Sequence, residues 1–109
     1  MKAGSLFLAC AAVLASSAAH AVLDNAKAEA LMKKDGCAAC HAIDKKIVGP
    51  AYVDVAAKYK GDKNAVAMLS KKVKDGSTGV WGPIPMPPNT TTSTADITDL
   101  VTWILTLKK

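Results

Sequence analysis

A chain of 109 residues has room for one domain, and half of its residues are apolar. The formal charge is +5, from 14 basic residues against 9 acidic ones, and every basic residue is lysine. Nucleic-acid readers lean on arginine to reach base edges, so a chain with no arginine and no basic stripe argues against that class. It leaves a solvated lysine-rich surface that can steer towards an acidic partner.

The first segment reads as an address. Lys2 supplies a positive start, Leu6 to Ala15 is an apolar run too short to span a bilayer, and Ala19-His20-Ala21 is an A-x-A cleavage site. The expectation is a cleaved signal at residues 1–21, export to the periplasm, and a mature domain at 22–109 with no membrane insertion. Cys10 could instead serve as a lipid anchor, but the apolar run continues past it, where a lipobox cysteine should close it. Removing 21 of 109 residues leaves 88, with 13 lysines against 9 acids and a net charge of +4. A domain of that size is marginal for a core made of side chains alone. Only Cys37 and Cys40 remain, which excludes a disulfide framework and favours an apolar cofactor.

The remaining elements read as helices. Asp24 can cap a helix running to Lys34, with Lys33 and Lys34 suited to its C-terminal dipole and Gly36 to its end. A short helix is expected from Ala51 to Lys58 after Gly49-Pro50, and a third from about Asn64 to Lys74, with Val66, Leu69 and Val73 at helical spacing before Gly76. Between Ser77 and Thr92, two glycines and Pro83, Pro85, Pro87 and Pro88 dictate a stiff loop. Ser93, with Asp96 three residues on, opens a last helix whose buried stripe is Ile97, Leu100, Val101, Ile104 and Leu107. The expected class is all-α, with about four helices around something central.

Cys37-Ala38-Ala39-Cys40-His41 carries the chemistry. Two thiols two residues apart can form thioethers with two haem vinyl groups, and the adjacent histidine then reaches the iron. A thioredoxin-like dithiol would also use C-x-x-C, but expects a strand before it. A structural zinc site needs four ligands where two Cys and one His remain. His41 is the last histidine after the signal, so a second histidine ligand from the same chain is impossible. Among the methionines, Met32 lies too near Cys37 to reach the opposite face, and Met68 sits among Val66, Ala67 and Leu69, where methionine is usually core filler. Met86 lies 45 residues after His41 within Ile84-Pro85-Met86-Pro87-Pro88, a backbone that prolines hold in place. A thioether presented so rigidly favours ferrous iron, raises the potential and limits reorganisation.

These segments resemble the small bacterial class I cytochromes c of the c-551/c-552 group. The strings that carry the resemblance are Gly36 to Asp44, Val48-Gly49-Pro50-Ala51-Tyr52 with Asp54 to Lys58, and Gly79 to Asn89. The resemblance implies one covalent haem c in a small class I cytochrome fold. It further implies that Pro50 offers its carbonyl to the His41 ring N–H, that Trp81 directs its indole N–H to a haem propionate, and that Asn89 helps orient the Met86 thioether. Plain packing or turn chemistry is the alternative for the last two. Lys72 stands where the family often places an arginine near a propionate, and its single ammonium cannot reproduce a planar fork. Trp103 matches a tryptophan of the last helix, where packing is its expected role.

The resemblance places an exposed haem edge among Ala38, Ala39, Ile47, Pro83, Ile84, Pro85, Pro87 and Pro88, with Lys33, Lys45 and Lys46 nearby. Such a patch suits brief docking with redox partner proteins. The expected function is a soluble, monomeric one-electron carrier, not an enzyme, between donors and acceptors such as a quinol-oxidising complex, a nitrite reductase or a terminal oxidase. The alternatives are a haem protein in which Met86 yields to a small ligand, and a thiol oxidoreductase without haem.

Overall fold

The computed structural model describes Gly4 and residues 23–109, so the expected signal and Cys10 lie outside the described residues. Four α-helices and one short 3₁₀ turn follow in chain order: α1 (Asn25–Lys34), the 3₁₀ turn (Cys37–Ala39), α2 (Tyr52–Lys58), α3 (Ala65–Asp75) and α4 (Thr94–Ile104). No β-strand forms among the described residues; two isolated antiparallel bridges pair His41 with Lys46 and Ser77 with Met86. The architecture is the expected all-α one.

Local chemistry sets the helix ends. The Asp24 side chain accepts from the Lys27 backbone N–H at 2.8 Å, which satisfies one of the orphan donors of α1. Gly36 follows α1 in the left-handed region, at φ 79°, and turns the chain directly into the cysteine motif. At α4 the Ser93 hydroxyl accepts from Asp96 N at 3.1 Å, one half of the capping box expected there. Ala51 is the residue before α2 rather than its first, since its φ and ψ are extended. Leu107 lies beyond the end of α4, half-buried in the turn that follows.

α4 is the organising helix, packed against α1, α2 and α3. Its Leu100, Trp103 and Ile104 join Ala28 and Met32 of α1 and Tyr52 and Val55 of α2 in one buried cluster. Trp103 is 2% exposed, and its indole N–H donates to Asn25 Oδ1 at 3.0 Å, tying the first helix to the last. Lys109 closes the chain on α2 through an ion pair with Asp54 at 2.7 Å. The apolar face of α3 behaves differently. Val66, Leu69 and Val73 are only half-buried; Leu69, which also packs against the cluster, and Val73 line a cleft.

Candidate haem site

That cleft measures about 1370 Å³ counting the solvent in its open mouth. One wall is the cysteine motif with Lys46 and residues 48–50, and the other is the Pro-rich loop. Leu69 and Val73 of α3 and Ile97, Leu100, Val101 and Ile104 of α4 form an apolar floor between them.

The motif enters the cleft because α1 stops at Asp35 and Gly36 reverses the chain. Cys37 and Cys40 then fall on one 3₁₀ turn, both half-buried and both lining the cleft, and neither is in a disulfide. Burial, reinforced by the nearby Asp35 carboxylate, pushes the Cys37 thiol above its ordinary range. A dithiol oxidoreductase needs the opposite, a thiolate stabilised at neutral pH. With a helix rather than a strand before the motif, that reading has neither its fold nor its electrostatics.

His41 is held on several sides. Its Nδ1 lies 2.8 Å from the Pro50 carbonyl oxygen, so Nδ1–H donates and the lone pair of Nε2 is the one left for a metal. The Tyr52 ring stacks on the imidazole, with centroids 4.9 Å apart and planes 17° from parallel. Gly49 abuts the ring so closely that a Cβ there would sit 2.5 Å from Cε1. Two backbone bonds fold this loop back on the motif, from Val48 N and Gly49 N to the Cys40 carbonyl at 3.2 and 2.8 Å.

Met86 lines the other wall. Its backbone exchanges two hydrogen bonds with Ser77, N to O at 2.8 Å and O from N at 3.1 Å, which clamps the Pro-rich loop to the end of α3. Gly76 makes this closure possible. At φ 81° and ψ 166° it occupies a region almost reserved for glycine, and a Cβ there would meet the Met86 carbonyl oxygen at 2.8 Å. Asn89 anchors the far end of the loop. Its backbone N–H donates to Val73 O at 3.0 Å, and its Oδ1 accepts from Thr91 N and Thr92 N at 3.1 and 3.0 Å. The Asn89 carbonyl oxygen is thus committed to a turn, and its amide nitrogen is what it can offer towards Met86.

Trp81 lies at the mouth, 40% exposed, with the Lys58 ammonium 5.4 Å from its ring centroid. It is not a core residue. Lys72 reaches the cleft from α3. Met32 is buried in the core, and Met68 is half-buried away from the cleft. Of the positions singled out in the sequence, Cys37, Cys40, His41, Pro50, Lys72, Trp81 and Met86 come together around one cleft, while Asn89 stands behind it. The spatial roles of Tyr52, Gly49 and Gly76 escape sequence reasoning, and the place of Gly49 and Tyr52 in the Val48 to Tyr52 string that carries the resemblance is the one signal that could have flagged the first two.

The donor set suits haem c: two thiols on one edge, an imidazole with a free Nε2 lone pair on one wall, a thioether on the other and an apolar floor. Residues 25–108 match the cytochrome c family. The chain belongs to the cytochrome c family. Over 80 residues it is 56% identical to cytochrome c-551 of Pseudomonas aeruginosa, covering 73% of this chain and 76% of that one. Over 98 residues it is 51% identical to cytochrome c-552 of Nitrosomonas europaea, covering 87% and 95%. The crystal structure of wild-type Nitrosomonas europaea cytochrome c552 superposes with a TM-score of 0.71 at 54% identity, covering 73% of this chain and 99% of that one. The class 1 cytochrome MtoD of Sideroxydans lithotrophicus superposes at 0.63 with 31% identity, covering 76% and 95%. As a class I cytochrome c, the chain carries haem c covalently attached, and no helix among its described residues is long and apolar enough to cross a membrane.

Proposed function

We propose that this cytochrome c is a diffusible one-electron carrier in which Cys37 and Cys40 form the thioethers and His41 and Met86 are the axial ligands. The observation that carries the reading is that His41 and Met86, 45 residues apart, line the same cleft on backbones that are each pinned by hydrogen bonds. Bound there, the haem supplies a one-electron iron(III)/iron(II) couple. The protein's own part is to hold still: Pro50 fixes the imidazole and raises its basicity, and the Ser77 clamp presents the Met86 thioether, which favours the reduced state.

Trp81, with Lys58 over its face and Lys72 inside the mouth, supplies an N–H donor and positive charge for the propionates, and the Asn89 amide steadies Met86. With both axial positions taken, no coordination site is left for substrate. Among the described residues lining the cleft there is no carboxylate and no second histidine to act as acid or base, which supports a carrier rather than an enzyme.

Residues 1–21 direct the chain to the periplasm, where the mature domain acts as a soluble monomer. Partners dock at the cleft mouth, where Ile47, Val80 and Ile84 are exposed apolar residues beside Lys45 and Lys46. Nitrite reductase or a terminal oxidase are candidate acceptors. The deciding experiment is an absorption spectrum of the mature holoprotein, oxidised, reduced and with CO. A low-spin spectrum with a methionine-to-iron charge-transfer band and no response to CO is expected. Rapid CO binding would mean an open iron site and a ligand-sensing haem protein instead.

A further inference from the structure

The His41 ring lies between two surfaces of different kinds. The Gly49 backbone closes one approach, where even a methyl group would not fit. Elsewhere Tyr52 presents its ring in a near-parallel stack, 4.9 Å between centroids. Tyr52 is itself immobilised: it is 5% exposed within the core cluster, and as the first residue of α2 it donates its backbone N–H to Ala42 O at 3.0 Å. Cys37 packs against the same cluster. Tyr52 and its core neighbours therefore brace both ends of the C-x-x-C-H motif.

We infer that Tyr52 is a positioning residue that fixes the plane of the His41 imidazole by stacking, jointly with the Pro50 carbonyl. The inference rests on the proposed ligation by His41. The ring turns about its Cβ–Cγ bond, and a single hydrogen bond from Nδ1 restrains that turn at one atom only; a flat partner across the ring face adds resistance over its whole area. An aliphatic side chain of similar volume would fill the core but not resist the twist. A ring that keeps its plane in both oxidation states limits reorganisation on electron transfer.

The test follows exchange of the His41 Nδ1–H with solvent by NMR in the reduced holoprotein. Tyr52→Phe keeps the ring and should exchange as slowly as wild type. Tyr52→Leu should exchange faster by between about two- and tenfold, the range that an aromatic pair contributes. Met32→Ala opens the same core away from the cleft and controls for general loosening. Leu exchange no faster than that of Met32→Ala, or Phe exchange as fast as that of Leu, would overturn the inference. If Tyr52→Leu does not fold, the wild type decides: cross-relaxation between Tyr52 and His41 ring protons is expected, and its absence removes the stack. A wild type without a low-spin spectrum sinks the ligation reading itself, a result visible before any variant is made.

Discussion

An alanine at position 49 would place its Cβ 2.5 Å from His41 Cε1 and 2.9 Å from Nδ1. A flexible side chain could swing away from such an intrusion, but this imidazole is bonded to Pro50 and stacked on Tyr52. The Gly49→Ala protein should therefore lose about 1–3 kcal/mol of stability, as overpacking usually costs, measured by chemical denaturation. Its Nδ1 to Pro50 hydrogen bond should weaken as the ring is displaced, which lowers the basicity of the imidazole and should show as an upward shift in reduction potential. Stability and potential both equal to wild type would mean that the ring has room to move.

The elements cooperate through contacts at their ends. α3 ends at Gly76, whose φ of 81° and closeness to the Met86 carbonyl oxygen let the Pro-rich loop close on the helix. Gly76→Ala adds backbone strain to a clash with main-chain atoms that cannot rotate away, so a loss of about 2–4 kcal/mol is expected. With it should go the methionine-to-iron charge-transfer band, because the Ser77 pairing that presents Met86 starts one residue later. At the other side of the fold, Asn25→Ala removes the acceptor of the buried Trp103 indole N–H. Leaving that donor unpaired should cost about 1–3 kcal/mol, read from the thermal midpoint, with an unchanged haem spectrum because neither Asn25 nor Trp103 lines the cleft.

At the scale of the described domain, the helices pack on α4 yet leave part of their apolar surface to the cleft. Leu69 and Val73 of α3 face the cleft, and the buried cluster joins α1, α2 and α4. A domain of this size without its central group is short of buried apolar area. The Cys37→Ala/Cys40→Ala chain, made without haem, should lose its near-ultraviolet circular dichroism and its cooperative thermal transition; a sharp transition at the holoprotein's temperature would contradict this. The same open mouth sets the function. Ile84 is 63% exposed at its rim, and Ile84→Glu should slow electron transfer to a redox partner while leaving the absorption spectrum intact. An unchanged transfer rate would move the docking surface elsewhere.

Much of this was legible before any coordinates, wherever the governing physics is local. Asp24 and Ser93 cap helices through bonds to residues three positions on, Gly36 turns the chain one residue before the motif, and the prolines around Met86 exclude a helix by their own rings. The C-x-x-C-H motif is local in the same sense, since the proposed attachment and ligation fall within five residues. Apart from the His41 to Pro50 bond, which the resemblance implied, contacts between distant residues were not legible. The Trp103 to Asn25 bond spans 78 positions, the Lys58 ammonium meets Trp81 across the cleft mouth, and Tyr52 reaches His41 because the loop before α2 folds back on Cys40. Composition, caps, helical periods and the haem-attachment signature were thus determined by the sequence, because each depends on neighbours along the chain. The tertiary structure alone decided which faces turn to the cleft, why Gly49 and Gly76 have no room for a side chain, and what holds the imidazole. Those depend on distances between segments that only the packing of α4 against the other three helices brings together.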